Sequence, residues 1–263
     1  MIHSFIFSPS GTTAKVAKTF INCLGQEVKT YDFTVKESAN IDLISESDIA
    51  VFAMPVYAGR IPALAAKRLN AVSGTGQKAV VIVVYGNRDY DDALLELGDI
   101  VTERGFRVIA AGAFIAQHCI FPKVATGRPD AGDEKKLSAF ADEVNHIIAV
   151  GGSLDLNSIK GNRPYKKGAG VPMHPDVDKQ KCNSCGSCAS QCPTGAIDMQ
   201  NPKLTDGKKC MMCCRCINVC PSDARHLGGL LYKVAGWKFV KDNSRRLEPE
   251  WFCLLYTSDA ADD

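Results

Sequence analysis

The run KKCMMCCRCINVCPSD, Lys208 to Asp223, places five cysteines within eleven positions, Cys210 to Cys220. An earlier run, CNSCGSCASQCP from Cys182, has the same arrangement 28 residues before it, and both read C-x2-C-x2-C-x3-C-P. Three thiolates spaced by three can turn around one face of a small inorganic core, because a short loop lets each sulfur point inward. The fourth cysteine lies too far along to close the same core and must reach across to the other. The doubled run therefore predicts two centres that share their ligands crosswise.

This run resembles the bacterial ferredoxin pattern for two 4Fe–4S clusters. It assigns Cys182, Cys185, Cys188 and Cys220 to one cluster, and Cys210, Cys213, Cys216 and Cys192 to the other. Pro193 and Pro221 turn the chain just after each crossing ligand. The alternatives are zinc, which two C-x-x-C pairs would satisfy without any crossing, and disulfides, which need an oxidising compartment. Cys214 is surplus to the pattern, and is either a small side chain beside the site or a spare ligand. Eight thiolates and two oxidised cores leave a charge of about −4. Between Asp176 and Gly228, seven Lys and Arg stand against five Asp and Glu, with Lys208, Lys209 and Arg215 around the second motif. Nearby cations and N–H donors to sulfur stabilise the reduced state; plain solvated surface charge is the other reading of these residues.

The remaining sequence is that of an ordinary soluble globular chain. Its 263 residues are 46% apolar and 23% charged, enough for one large domain or two of common size. No apolar run approaches the roughly 18 residues that would span a bilayer. The start, MIHSFIFSPSG, lacks the basic flank of a signal peptide and reads as a first strand. The protein is thus expected in the cytoplasm. A net charge of +2 gives no reason to expect nucleic acid or a membrane as partner. Of twelve cysteines only Cys23 and Cys119 precede position 180, and Cys253 stands apart after the crowded region. The last eleven residues, Cys253 to Asp263, back-translate onto a string resembling a transposase adapter of sequencing libraries. We expect 253–263 to be an artefact; a natural tail is the alternative.

Before the cysteines, β-rich runs alternate with amphipathic ones. Strands are predicted at IHSFIFS, VKTYDFT, DIAVFAMPV, KAVVIVVYG and RVIAAGAFI. Helices are predicted at TTAKVAKTFINCL, IPALAAKRLNAV, YDDALLELGDIVTERG and DEKKLSAFADEVNHIIAV. Apolar strands joined by helical crossovers imply an α/β fold with a doubly wound, parallel, five-stranded sheet, followed by a small α+β ferredoxin-like domain. Such sheets bind ligands beyond the C-terminal ends of their strands. There the first loop, SPSGTTAK, offers hydroxyls and helix N–H groups suited to a phosphate, though it would cap a helix as well. The loops MPVYAGRIP and YGNRDYDDAL each offer an aromatic residue and backbone groups for a flat ring with a polar edge.

Together these loops resemble the flavodoxin family. Its phosphate loop matches Ser8, Ser10, Gly11, Thr12 and Thr13, with Thr12 in place of the usual asparagine. Its two flavin-flanking loops fall on Pro55, Val56, Tyr57, Ala58 and Gly59, and on Tyr85, Gly86, Asn87, Tyr90 and Asp91. The resemblance implies FMN, with Tyr57 and Tyr90 beside the ring and Asn87 at its polar edge. To about Phe252 the chain resembles a fusion of flavodoxin-like and two-cluster ferredoxin domains. Domains are expected at 1–150 (FMN-binding), 151–175 (linker, rich in Gly, Pro and Lys), 176–228 (ferredoxin) and 229–252 (a helix and an arm packing back). The segment Ala116 to Asp130 resembles that fusion family's loop after the fifth strand. Its His118 either approaches the flavin or the domain interface, or packs beside Phe121.

Flavins hold zero, one or two electrons, whereas each cubane passes one at a time, so the combination implies a converter between the two kinds of traffic. The expected function is intracellular electron transfer in anaerobic metabolism, between bound FMN, two 4Fe–4S clusters and a redox partner protein. A reductase acting through FMN on a quinone or nitro compound is the enzyme alternative, and a cluster-based redox or iron sensor the third. SGTGQ at Ser73 to Gln77 lacks G-x-G-x-x-G and precedes a strand, so no nicotinamide site is read.

Overall fold

Val80, Ile82 and Val84 face one side of their strand and Val81, Val83 and Tyr85 the other, and all six are buried. A strand apolar on both faces has to be sandwiched between layers, and the fold obeys this. In the computed structural model, residues 1–35, 41, 45–168, 170 and 173–253 are described. Strands β1 (Ile2–Ile6), β2 (Val28–Asp32), β3 (Ile49–Pro55), β4 (Lys78–Tyr85) and β5 (Arg107–Ile115) alternate with helices α1 (Thr12–Leu24), α2 (Ala63–Leu69), α3 (Ala93–Glu103) and α4 (Ala131–Val150). The parallel order β2-β1-β3-β4-β5 is the flavodoxin-like doubly wound one. Val16, Phe20, Leu137, Phe140 and Val144 of α1 and α4 cover one face; α2 and α3 cover the other through Ala65, Leu69, Leu94 and Leu97. Each buried Phe or Leu contributes roughly 1.5–3 kcal/mol.

The sheet has six strands among the described residues, not the five expected. After the cysteine region, α7 (Gly229–Asp242) leads into β8 (Glu250–Cys253), which pairs antiparallel with β5, Ala113 opposite Glu250 and Ala110 opposite Cys253. The arm joining them is held by buried polar groups of the first domain. Asn87 donates to the carbonyls of Asn243 and Arg245 at 3.0 and 2.7 Å and accepts from Leu247 N–H at 3.2 Å. Arg128, paired with Asp133, donates to the Leu247 carbonyl, and Tyr90 donates to Glu250 at 2.6 Å. Of the suspected foreign tail, Cys253 closes β8 and residues 254–263 lie outside the described residues.

The stretch expected to be a linker runs pinned along α3. Leu154 N–H bonds the Val108 carbonyl, Ile159 is buried in the core, and Asp92 accepts from Asn162 and Lys166 N–H groups. Burial pushes the Asp92 carboxyl up, but those hydrogen bonds win and hold it below its usual range. Arg163 and Tyr165 both meet Asp99.

The cysteine region folds as two copies of one unit. β6 (Asp176–Val177) pairs with β7 (Arg225–His226), and Ile197 bridges Thr205 in the equivalent place. Short helices α5 (Ser187–Ser190) and α6 (Arg215–Asn218) each contain the third cysteine of their motif, Cys188 and Cys216. Positive φ recurs at matching places: Ser184 and Met212, Gly186 and Cys214, Gly195 and Asp223. The internal repeat seen in the cysteines is therefore a repeat of backbone conformation.

Candidate functional site

At the C-terminal ends of β1, β3, β4 and β5 a cavity of about 1030 Å³ opens, at the top of the ordinary range for small-molecule sites of ~300–1,000 Å³. The sheet supplies its floor. The cysteine region and α7 supply its far wall through Thr194, Lys208, Cys210, Met211, Met212, Leu231, Ala235 and Phe239.

Of the phosphate loop, Ser10 and Thr12 line the cavity and hydrogen-bond each other at 3.0 Å. Gly11 precedes α1 in the left-handed conformation with no side-chain cap. Ser8 lies behind, its hydroxyl accepting from Ala14 N–H, and the Thr13 hydroxyl is buried without a partner. A helix start whose N-cap residue is a glycine, beside an orphaned hydroxyl, is chemistry suited to a phosphate dianion. The second motif closes this loop from outside: Asn218 donates to the Ser10 carbonyl at 3.1 Å and Arg215 to that of Pro9 at 3.4 Å.

Pro55, Val56, Tyr57, Ala58 and Gly59 all line the cavity, in a tight turn in which Tyr57 and Arg60 exchange backbone hydrogen bonds. The Tyr57 hydroxyl is buried with no partner, and burial, then the thiols of Cys119, Cys213, Cys214 and Cys210, push its ionisation well up. Tyr57 thus stands between the cavity and the second cysteine motif.

The next loop requires a correction. Tyr85 and Gly86 line the cavity, as do Arg88 and Asp89, whereas Asn87, Tyr90 and Asp91 do not. Asn87 clamps the C-terminal arm, and Tyr90 packs at 5.6 Å edge-on to Tyr85 with its hydroxyl spent on Glu250. Asp91 pairs with Arg88 and Lys166 outside the cavity. In each case an arm or connector distant in sequence has taken the side chain.

Gln117, His118, Cys119, Ile120 and Phe121 form the last wall. Both readings of His118 hold: it stacks on Phe121 at 5.5 Å, meets Phe239 of α7 at 4.7 Å, and lines the cavity. A Cβ on Gly86 would collide with the His118 ring, so only glycine admits this approach. Burial, with Arg88 nearby, lowers the His118 pKa to about 4, so the imidazole is neutral at pH 7 and accepts from Ile120 and Phe121 N–H groups.

The cysteines lie in two neighbourhoods, each of which draws on both motifs. Cys182, Cys185, Cys188 and Cys220 line one small cavity. Burial pushes Cys213 and Cys216 up to about 12, with Cys192 and Cys210 close enough to add to it, which marks these four as mutual neighbours. Among the described residues no group of three or more His, Cys, Asp or Glu closes around a single metal ion. Ala196 and Ala224 each donate N–H to the crossing sulfur, Cys192 and Cys220, at 3.3 Å. An N–H donated to a thiolate sulfur stabilises its negative charge, as a cluster ligand requires. The sets differ in setting: Cys185 is exposed, whereas Cys213 is buried.

Sequence reasoning missed Arg68. Its buried guanidinium donates to the carbonyls of Thr34 at 2.8 Å and Pro193 at 3.1 Å, joining α2 to the first motif. Nothing in its local sequence, KRL within a helix, signals this. Met211 and Met212 were overlooked as spacers, although adjacent methionines between ligands are an apolar surface in need of a partner.

Residues 174–253 match the 4Fe–4S dicluster domain. Solved structures similar to the first half include the flavodoxin of Streptococcus pneumoniae TIGR4 (18% identity, 56% of this chain and 99% of that one, TM-score 0.38). A flavodoxin from the domain Archaea covers 56% of this chain and 97% of its own at 14% identity and TM-score 0.40. The Fusobacterium nucleatum flavodoxin bound to flavin mononucleotide covers 55% and 96% at 18% identity and TM-score 0.38. No curated protein matches the chain. The chain joins a doubly wound parallel sheet, in the order β2-β1-β3-β4-β5, to a region that matches the 4Fe–4S dicluster domain.

Proposed function

We propose that the protein transfers electrons between FMN held in the 1030 Å³ cavity and two 4Fe–4S clusters, and on to a redox partner protein in a reducing, anaerobic cytoplasm. The observation that carries this is the shared wall: Cys210, Met211 and Met212 of the second motif line the same cavity as Ser10, Thr12 and Tyr57. A bound flavin would supply one- and two-electron chemistry, and the cubanes one-electron chemistry. The chain's own residues fit these groups. Ser10, Thr12 and the start of α1 would hold the phosphate, and Pro55–Gly59 with Tyr85 and Gly86 would flank the ring. Neutral His118 and the apolar side chains of α7 exclude water from that side. The first motif, with Cys185 at the surface, presents the outlet toward a partner.

No helix of the described residues is long and apolar enough to cross a membrane. Anaerobic purification with iron, sulfide and flavin quantification tests the proposal. About eight irons and one FMN per chain are expected. Zinc in place of iron, or an absent flavin, overturns it, and so does fast turnover of small acceptors with no protein partner.

A further inference from the structure

The two ring nitrogens of His118 are in different circumstances. Nδ1 accepts the backbone N–H groups of Ile120 and Phe121 at 3.2 and 3.1 Å. A ring nitrogen that accepts carries no proton, so the loop after β5 sets the tautomer and leaves the imidazole proton on Nε2. That Nε2–H meets no acceptor among the described residues, yet it is not sealed from its surroundings. The ring lines the cavity and is held on three sides. Phe121 stacks on it, Phe239 meets it edge-on, and Gly86 leaves no room for a side chain against its Cδ2. The backbone is fixed as well, because His118 N–H bonds the Val124 carbonyl at 3.1 Å. A donor with so little freedom left is preorganised for an acceptor in the cavity. Asn87, expected at the polar edge of the ligand there, is turned to the C-terminal arm instead. Nearby, Gln117 is bound to Pro122 and Gly127, Arg88 to Asp91 and Asp89 to Lys160. His118 is the neutral donor on this wall left without a partner.

We propose that Nε2–H of His118 donates a hydrogen bond to an acceptor on the edge of the flavin ring, a ring nitrogen or a carbonyl, and thereby raises the flavin's potential. The inference rests on the flavin reading and assigns within it a residue outside the three loops that carry the resemblance. The acceptors on the ring edge hold more electron density when the ring is reduced than when it is oxidised. A fixed donor there stabilises the reduced form more, and hydrogen bonds of this kind are how a protein sets its cofactor's electronics. The donor is uncharged, so it favours the added electron without burying a cation in an apolar wall.

The test uses the full-length, cluster-loaded protein with FMN under anaerobic conditions, as wild type, His118→Phe and His118→Gln. Phenylalanine keeps an aromatic ring between Phe121 and Phe239 but has no donor. Glutamine accepts from the loop through Oε1 and donates through Nε2. The flavin potential is titrated, and resonance Raman bands of the bound ring report hydrogen bonds at its edge. His118→Phe is expected to shift those bands and to weaken reduction by about tenfold, which is about 59 mV for one electron. His118→Gln is expected to recover most of both. Unchanged bands and potential in His118→Phe overturn the proposal, as does a shift that glutamine does not recover, since lost packing would then explain it. The wild type supplies a check that needs no variant to fold: with 15N-labelled histidine, the Nε2 signal of His118 should be that of a protonated nitrogen and should move when FMN is added. A protonated Nδ1, or a signal indifferent to FMN, overturns the proposal. Wild-type protein that holds no FMN at all fails the flavin reading itself, whereas FMN retained without these changes fails the donor alone.

Discussion

His118 is neutral because it is buried, and that places a pH dependence on the fold. Its pKa of about 4 lies below the unfolded value of 6.5, so the unfolded chain binds the proton first. The stability tied to the neutral ring is fully present above pH 6.5 and is lost as pH falls toward 4, to a limit of about 3 kcal/mol. His118→Phe should flatten this part of the profile, which melting temperatures at pH 7 and pH 5 would reveal; equal slopes for both proteins would refute it. The crossing cysteines permit a second check. Cys220→Ala should lose the cluster built on Cys182, Cys185 and Cys188, and Cys192→Ala the other, each leaving about four irons per chain. If Cys192→Ala and Cys220→Ala disturb the same spectroscopic signal, the crossing is wrong. The dicluster region was legible because the cysteine spacing alone encodes it. Asn87 and Tyr90 were not, because a polar residue at a strand end reads as a ligand contact until its partners, about 160 residues away, are known.

Among the elements, α1 and β1 to β5 follow from apolar period and length, since a strand covered on both faces and an amphipathic crossover write their surroundings into their own sequence. β8 could not be read that way. Its four residues, EWFC, have no period to speak of, and they become a strand because β5 presents an unpaired edge and because Tyr90 and Glu143 engage Glu250 and Trp251. The linker read from composition is held by Asp92 and Asp99, and neither carboxylate is marked as special by its neighbours. Asn87→Ala leaves two carbonyls and one N–H of the arm without their partner, and should destabilise the protein by about 3 kcal/mol. The denaturant midpoint should fall with an unchanged slope. A shift within error would mean that water serves the arm equally well. Removing β8 by truncation after Asn243 should expose the β5 edge and promote self-association, measurable by light scattering.

For the whole molecule, the cavity belongs to neither domain alone. The sheet provides the loops, but the second motif and α7 close them, with Arg215, Asn218 and Arg68 as the ties. Stripping iron with a chelator should therefore weaken flavin retention, several-fold or more, although no proposed flavin contact is an iron ligand apart from the wall at Cys210. Fluorescence of released flavin before and after chelation measures this. An unchanged affinity would show the first domain to be self-sufficient. The order of the chain adds a consequence. Every cysteine of the two motifs leaves the ribosome ahead of α7 and β8, so the crossed thiols are available to assembly factors while the first domain is already folded and the lid over the cavity has not been made. Maturation thus has a natural window during synthesis, in which the thiols are reachable before α7 and the last strand have packed against the first domain.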